Sequence, residues 1–138
     1  MPASSVRFSV DDALALRDTA TASTGTANVD ITSDELALDV LTAYWDGSNP
    51  ANQQQFVIFG SVTGIVDSGA TLTVQVSATG DFDDTVTLHT LVVTATGAFN
   101  FGILREQLAA QTALRVVATK ADGTSGADFW AYAAPLPV

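Results

Sequence analysis

Residues 71–78 read Thr71-Leu72-Thr73-Val74-Gln75-Val76-Ser77-Ala78. Leu72, Val74, Val76 and Ala78 fall on one side of this run, and Thr71, Thr73, Gln75 and Ser77 on the other. A period of two is that of a β-strand with one face buried and the other in water. Working outward, Gly80-Asp81-Phe82-Asp83-Asp84 reads as a turn, and Val86 and Leu88 then alternate with Thr85, Thr87 and His89. Leu91 to Thr94 gives another strand, and Ala98-Phe99-Asn100-Phe101 a short one after Gly97. Leu114–Thr119 and Asp128–Ala133 flank a glycine-rich loop and read as a terminal hairpin turning through Asp122-Gly123 and Gly126. The one helical stretch is Ile103–Ala110, weakly patterned and short.

Upstream of the central run, Phe56-Val57-Ile58-Phe59 is a buried strand by composition, and Gly60, Gly64 and Gly69 punctuate the residues after it. Before it, Leu36, Leu38 and Val40 alternate with Ala37, Asp39 and Leu41, and Asn28-Val29-Asp30-Ile31-Thr32 forms a first strand. Asp34-Glu35 marks a turn between these two, while Asp46-Gly47-Ser48-Asn49-Pro50 is a loop. Residues 3–28 make a leader of low hydrophobicity: Ser9-Val10-Asp11-Asp12 can cap a short helix, and Asp18 to Asn28 is nearly all Thr, Ala, Ser and Gly. Short strands at roughly 8–12-residue spacing point to a sandwich. The expected fold is all-β: an arm over residues 1–28, then one jelly-roll-like β-sandwich over 29–138, with at most one or two short helices.

Composition bears on function. The chain has 138 residues, 14% of them charged against about 25% in ordinary soluble domains, yet 47% hydrophobic. Such a surface leaves apolar area for another subunit to cover, so a homo-oligomer, dimer or trimer, is expected. Fifteen acids oppose five bases, for a net charge of −10, and Arg7, Arg17, Arg105, Arg115 and Lys120 are scattered. That balance repels phosphate backbones and anionic lipid, which argues against nucleic-acid and membrane partners. No apolar run approaches membrane-spanning length, and residues 1–7 lack the charged start and apolar core of a signal peptide. With no cysteine, disulfides and thiolate metal sites are excluded, and synthesis in a cytosol is expected.

Reactive chemistry is sparse: there is one His, one Lys and 18 Thr. His89 lies on the polar side of its run with no nucleophile context beside it, and reads as an ordinary exposed histidine. Asp81, Asp83 and Asp84 could share a calcium ion, but the EF-hand spacing is missing and a solvated turn is the simpler reading. A glycosidase-type pair of acids cannot be placed. Neither an enzyme nor a cofactor or metal site is expected. Tyr44-Trp45 and Trp130-Ala131-Tyr132 are the notable aromatic groups, with Trp130 and Tyr132 on one strand face; they fill a core or inter-subunit seam, or else stack on sugars in a carbohydrate-binding module.

Two stretches carry a family resemblance. One is Thr19-Ala20-Thr21-Ala22-Ser23-Thr24 leading into Asn28-Val29-Asp30-Ile31. The other is Leu114–Thr119, the loop Ala121-Asp122-Gly123-Thr124-Ser125-Gly126, then Phe129-Trp130-Ala131-Tyr132. With the Leu72–Ser77 strand and its acidic turn between them, this order resembles the small cement, or decoration, proteins of tailed-phage capsids. The chain departs from that pattern by inserting Gly25-Thr26-Ala27 and by its long polar loop from Asp46 to Gln55. The resemblance implies a jelly-roll-like sandwich on the outer surface of an icosahedral head, bridging capsomers of the major capsid protein, with no catalytic residues. In that setting the arm is expected to dock on a neighbour, with Phe8 and Leu14 as apolar anchors and Arg7 and Arg17 as charged contacts; Trp130 and Tyr132 complete the expected interface.

Overall fold

A computed structural model describes residues 15–19, 30–38 and 55–135. These residues form two antiparallel sheets packed face to face. Strands β1 (Ala15–Arg17), β2 (Ile31–Thr32) and β3 (Leu36–Ala37) are short. The long ones are β4 (Gln55–Val66), β5 (Ala70–Ser77), β6 (Val86–Val93), β7 (Gly97–Leu104), β8 (Ala113–Lys120) and β9 (Gly126–Pro135). The first sheet has the order β1-β9-β4-β7; the second has β2-β8-β5-β6, with β3 also on β8. Since β2 and β3 pair with successive parts of β8, they act as one interrupted edge strand. Two four-position sheets in this order, with chain crossings from one to the other, form a jelly-roll β-sandwich.

The connections explain this topology. β4 passes to β5 through residues 67–69, where Gly69 takes φ 76° and its N–H meets the Val66 carbonyl at 3.0 Å. So tight a link, between strands of different sheets, folds the chain over the sandwich edge. Residues 121–125 cross at the same end. Asp122 Oδ1 there accepts from Thr124 N at 2.9 Å and Ser125 Oγ at 2.8 Å, while Ser125 Oγ accepts from Ser68 N at 3.1 Å, which binds the two crossings together. β8 and β9 therefore do not make the expected hairpin: Asp122-Gly123 turns the chain between sheets.

The core lies between the sheets. Leu72, Val74 and Val76 of β5, with Leu114 and Val116 of β8, face Ile58 and Val62 of β4, Ile103 of β7 and Phe129 of β9, all buried. Alternation at residues 72–76 thus does what its sequence says. Small residues make room for large ones: Ala131 and Ala133 line β9 beside Phe99, Phe101 and Phe129, whose rings stand 5.5 Å (Phe99–Phe101) and 6.4 Å (Phe99–Phe129) apart. Burying each such apolar side chain contributes about 1.5–3 kcal/mol.

Several local expectations change. β4 runs unbroken through Gly60 and Gly64, which do not punctuate it. A Cβ on Gly60 would stand 2.0 Å from the Trp130 carbonyl oxygen and 2.7 Å from the Phe99 ring, so the glycine is there for close packing inside a strand. Residues 86–89 and 91–94 do not form separate strands; β6 is continuous, and its pairing with β5 slips between Val74 and Gln75. His89 pairs with Val74 and Thr87 with Gln75, so the extra residue Leu88 breaks the period of two while the strand continues. Ile103 and Leu104 end β7, and the helical stretch shrinks to a 3-10 turn at Arg105–Leu108. Ala15–Arg17, expected within the arm, are the edge strand of the first sheet. Val40, Tyr44, Trp45 and the loop from Asp46 lie outside the described residues.

Candidate functional site: the outer face of the first sheet

Along β9, Phe129, Ala131 and Ala133 point into the core, which sends Asp128, Trp130 and Tyr132 to the outside of the sandwich. Phe59 of β4 is paired directly with Tyr132, and their rings stack at 6.1 Å with 25° between planes. Trp130 meets both edge-on, 6.1 Å from Phe59 at 87° and 5.8 Å from Tyr132 at 63°. Tyr132 is 5% exposed and its hydroxyl accepts a long bond from Thr19 N at 3.4 Å, whereas Trp130 remains half-buried. The three rings form one interlocked cluster, not a flat platform.

Arg17 of β1 and Asp128 at the start of β9 border this cluster. Arg17 Nη2 and Nε donate to Asp128 Oδ1 at 2.9 and 3.2 Å, and Nε also to the Phe129 carbonyl at 3.0 Å. The same Oδ1 accepts from Phe129 N at 2.8 Å. The pair is largely removed from water, with side chains 16% and 7% exposed. Arg17 is therefore engaged within its own chain, its guanidinium aimed at a carboxylate and a carbonyl beside it. Arg7, Phe8 and Leu14 lie outside the described residues.

The acidic turn is a self-contained hydrogen-bonded knot. Ser77 Oγ donates to Asp84 Oδ1 at 2.6 Å, and Ala78 N to Asp84 Oδ2 at 3.0 Å. Ser77 Oγ in turn accepts from Gly80 N at 2.9 Å and Phe82 N at 3.2 Å. The Thr79 hydroxyl, then Asp83 N–H, hold the Asp81 carboxyl below its ordinary range, and the Ser77 hydroxyl does the same for Asp84. Among the described residues no three His, Cys, Asp or Glu side chains gather as a metal site. Beyond the turn, Arg115 covers the Phe82 ring at 4.1 Å and donates to Gln75 Oε1 at 2.9 Å.

His89 is half-buried, not a free surface histidine. Its Nε2 lies 2.8 Å from the Gly102 carbonyl across the gap between the sheets, and its ring stacks on Phe101 at 5.4 Å. The bulge at Leu88 turns it there, off the polar side that simple alternation assigns to it.

Sequence reading found Trp130 and Tyr132 but missed Phe59 and Asp128. Phe59 was legible: with Ile58 facing inward, its neighbour must face outward. Asp128 carried no signal, because its partner is far away in the chain. Compared with known protein families, with curated proteins and with solved structures, the chain shows no match.

Proposed function

We propose that this protein is a structural capsid cement protein, which binds the outside of a phage head and bridges its capsomers. The observation that carries the reading is the cluster of Phe59, Trp130 and Tyr132 on the outer face of the first sheet, where Phe59 and Trp130 stay partly exposed over the buried Tyr132. Aromatic residues are enriched at the centres of protein interfaces, where they supply area at little entropic cost. The jelly roll is an architecture that recurs in viral capsid and lectin domains, so it agrees with the reading without deciding it. The partner is the major capsid protein, and self-association into a dimer or trimer adds contacts repeated by symmetry. Phe8 and Leu14 remain the proposed anchors of the arm. The net charge of −10 suits a location away from packaged DNA.

The test is co-sedimentation of the purified protein with phage heads stripped of outer proteins. Wild type pellets with heads, and Trp130→Ala weakens binding at least tenfold, while Thr119→Ala, on the outside of the other sheet, does not. Equal binding by Trp130→Ala removes the cluster from the contact. A second reading, a carbohydrate-binding module, draws on the same half-buried Trp130. A glycan array that lights up with wild type and goes dark with Trp130→Ala would select it.

A further inference from the structure

The sandwich has two open sides, and they differ in charge. On one side the edges are β1 and the interrupted strand β2/β3, with Arg17, Asp18, Asp30, Asp34 and Glu35 along them. On the other side the edges are β6 and β7. From Thr85 to Leu104 the chain contains no Asp, Glu, Lys or Arg, although its net charge is −10. All four large hydrophobic residues that are exposed among the described residues lie on this side: Val86 (46%), Leu91 (37%), Val92 (68%) and Leu104 (39%).

Natural edge strands are ordinarily blunted by charge, proline, extreme shortness or a bulge. β6 carries the bulge at Leu88 but no charged residue and no proline. It is eight residues long, Val-Thr-Leu-His-Thr-Leu-Val-Val, and among the described residues it pairs on one side only, with β5. Its other side offers backbone donors and acceptors to an incoming strand.

We propose that β6 is the surface through which a second copy of this chain docks, antiparallel and about a two-fold axis, continuing the second sheet across the dimer. The choice of occupant rests on charge. Two chains of −10 repel wherever their acids meet, and this side is the one pair of described edges where they bring none together. A strand pairing with itself is self-complementary, as a two-fold interface requires. Antiparallel pairing about the middle of β6 brings Val86 of one copy and Val92 of the other to the same end of the seam, on its two faces, because the bulge at Leu88 leaves Val86 on the face of buried Val76 and Val92 on the face of Thr71. The proposal depends on the self-association put forward above, not on capsid binding.

The experiment uses the full chain. Analytical ultracentrifugation over a micromolar concentration series should give a dimer. Val86→Glu/Val92→Glu puts a carboxylate on each face of the seam near both of its ends, adding to the repulsion between the copies, and should weaken the dimer at least tenfold, with its circular dichroism spectrum unchanged. Because the chain has no cysteine, a single Thr90→Cys is a clean reporter and covers the case in which the double variant fails to fold. Opposed strands lie about 5 Å apart, so a short bismaleimide should link Thr90→Cys into a covalent dimer and leave Thr119→Cys monomeric. A dimer that survives the double substitution, or Thr90→Cys that does not link, overturns the β6 assignment and leaves self-association standing. A wild-type monomer throughout overturns both, without touching the head-binding result. Were the monomer's β6 amides to become protected from exchange only on added heads, the edge would belong to a capsid strand instead.

Discussion

Arg17 and Asp128 lie 111 residues apart in sequence, and the Arg17 guanidinium grips the Asp128 carboxylate at 2.9 Å. The contact fastens the first described strand to the last, since among the described residues β9 is the one strand that pairs with β1. Ser33 does comparable work on the opposite sheet: its N–H donates to the Val116 carbonyl at 2.8 Å, and its Oγ accepts from Val116 N at 2.8 Å, where β2 breaks before β3.

Arg17→Ala should cost about 3 kcal/mol, because removing one member of a largely buried pair strands the charge of the other. Urea unfolding gives the figure, and amide exchange should show Ala15–Arg17 opening first. A loss within about 0.5 kcal/mol would mean the pair behaves as a surface contact.

His89→Ala should lower stability by about 1 kcal/mol, from the lost bond to Gly102 and the lost ring contact with Phe101. Binding to heads should be unchanged once both proteins are folded. Thermal melts beside the co-sedimentation assay separate these effects.

Three aspartates should contribute to the acid limb of stability. Asp81, Asp84 and Asp122 have carboxyls held below the ordinary 3.8 in the folded chain, the last chiefly by Thr124 N–H and the Ser125 hydroxyl. A folded value below the unfolded one means the unfolded state binds more protons between the two. Their contribution is thus fully present above the ordinary value and is lost as pH falls through the lowered ones. Denaturation midpoints should be flat above roughly pH 5 and decline below roughly pH 4. Asp84→Asn should make that decline shallower; an unchanged slope would show that the hydrogen bonds of the turn do not persist in solution.

Gly60→Ala should be among the most damaging single-methyl additions in the protein. The new Cβ meets backbone at Trp130, which cannot swing aside. A loss of about 3 kcal/mol or a failure to fold is expected, against near neutrality for Gly102→Ala, where nothing lies within 4 Å. Soluble yield and thermal midpoint of the two variants decide it.

Legibility in the sequence tracked the reach of each signal. Leu72–Ala78 announced its strand and its buried face because that information is local. β6 was split in two because a single bulged residue resets the alternation. The supposed last hairpin failed for another reason: Asp122-Gly123 marks a turn, but a turn does not say whether the next strand pairs beside the last or crosses to the facing sheet. Of the proposed site, Trp130 and Tyr132 were visible as a strand face. The partner of Arg17 was not visible, because nothing near it in sequence names Asp128.

β9 lies between β1 and β4, so the first sheet is missing an interior member until the last strand arrives. On a ribosome, this means that among the described strands of that sheet β1 has no neighbour and β4 only β7 while Gly126–Pro135 is still inside the exit tunnel. Folding of the first sheet must wait until β9 has emerged, and it then closes contacts of long sequence separation, a slow class of transition. During that wait the uncharged segment 85–104 has already emerged, so high-level expression should favour aggregation, and slower synthesis at lower temperature should favour native protein.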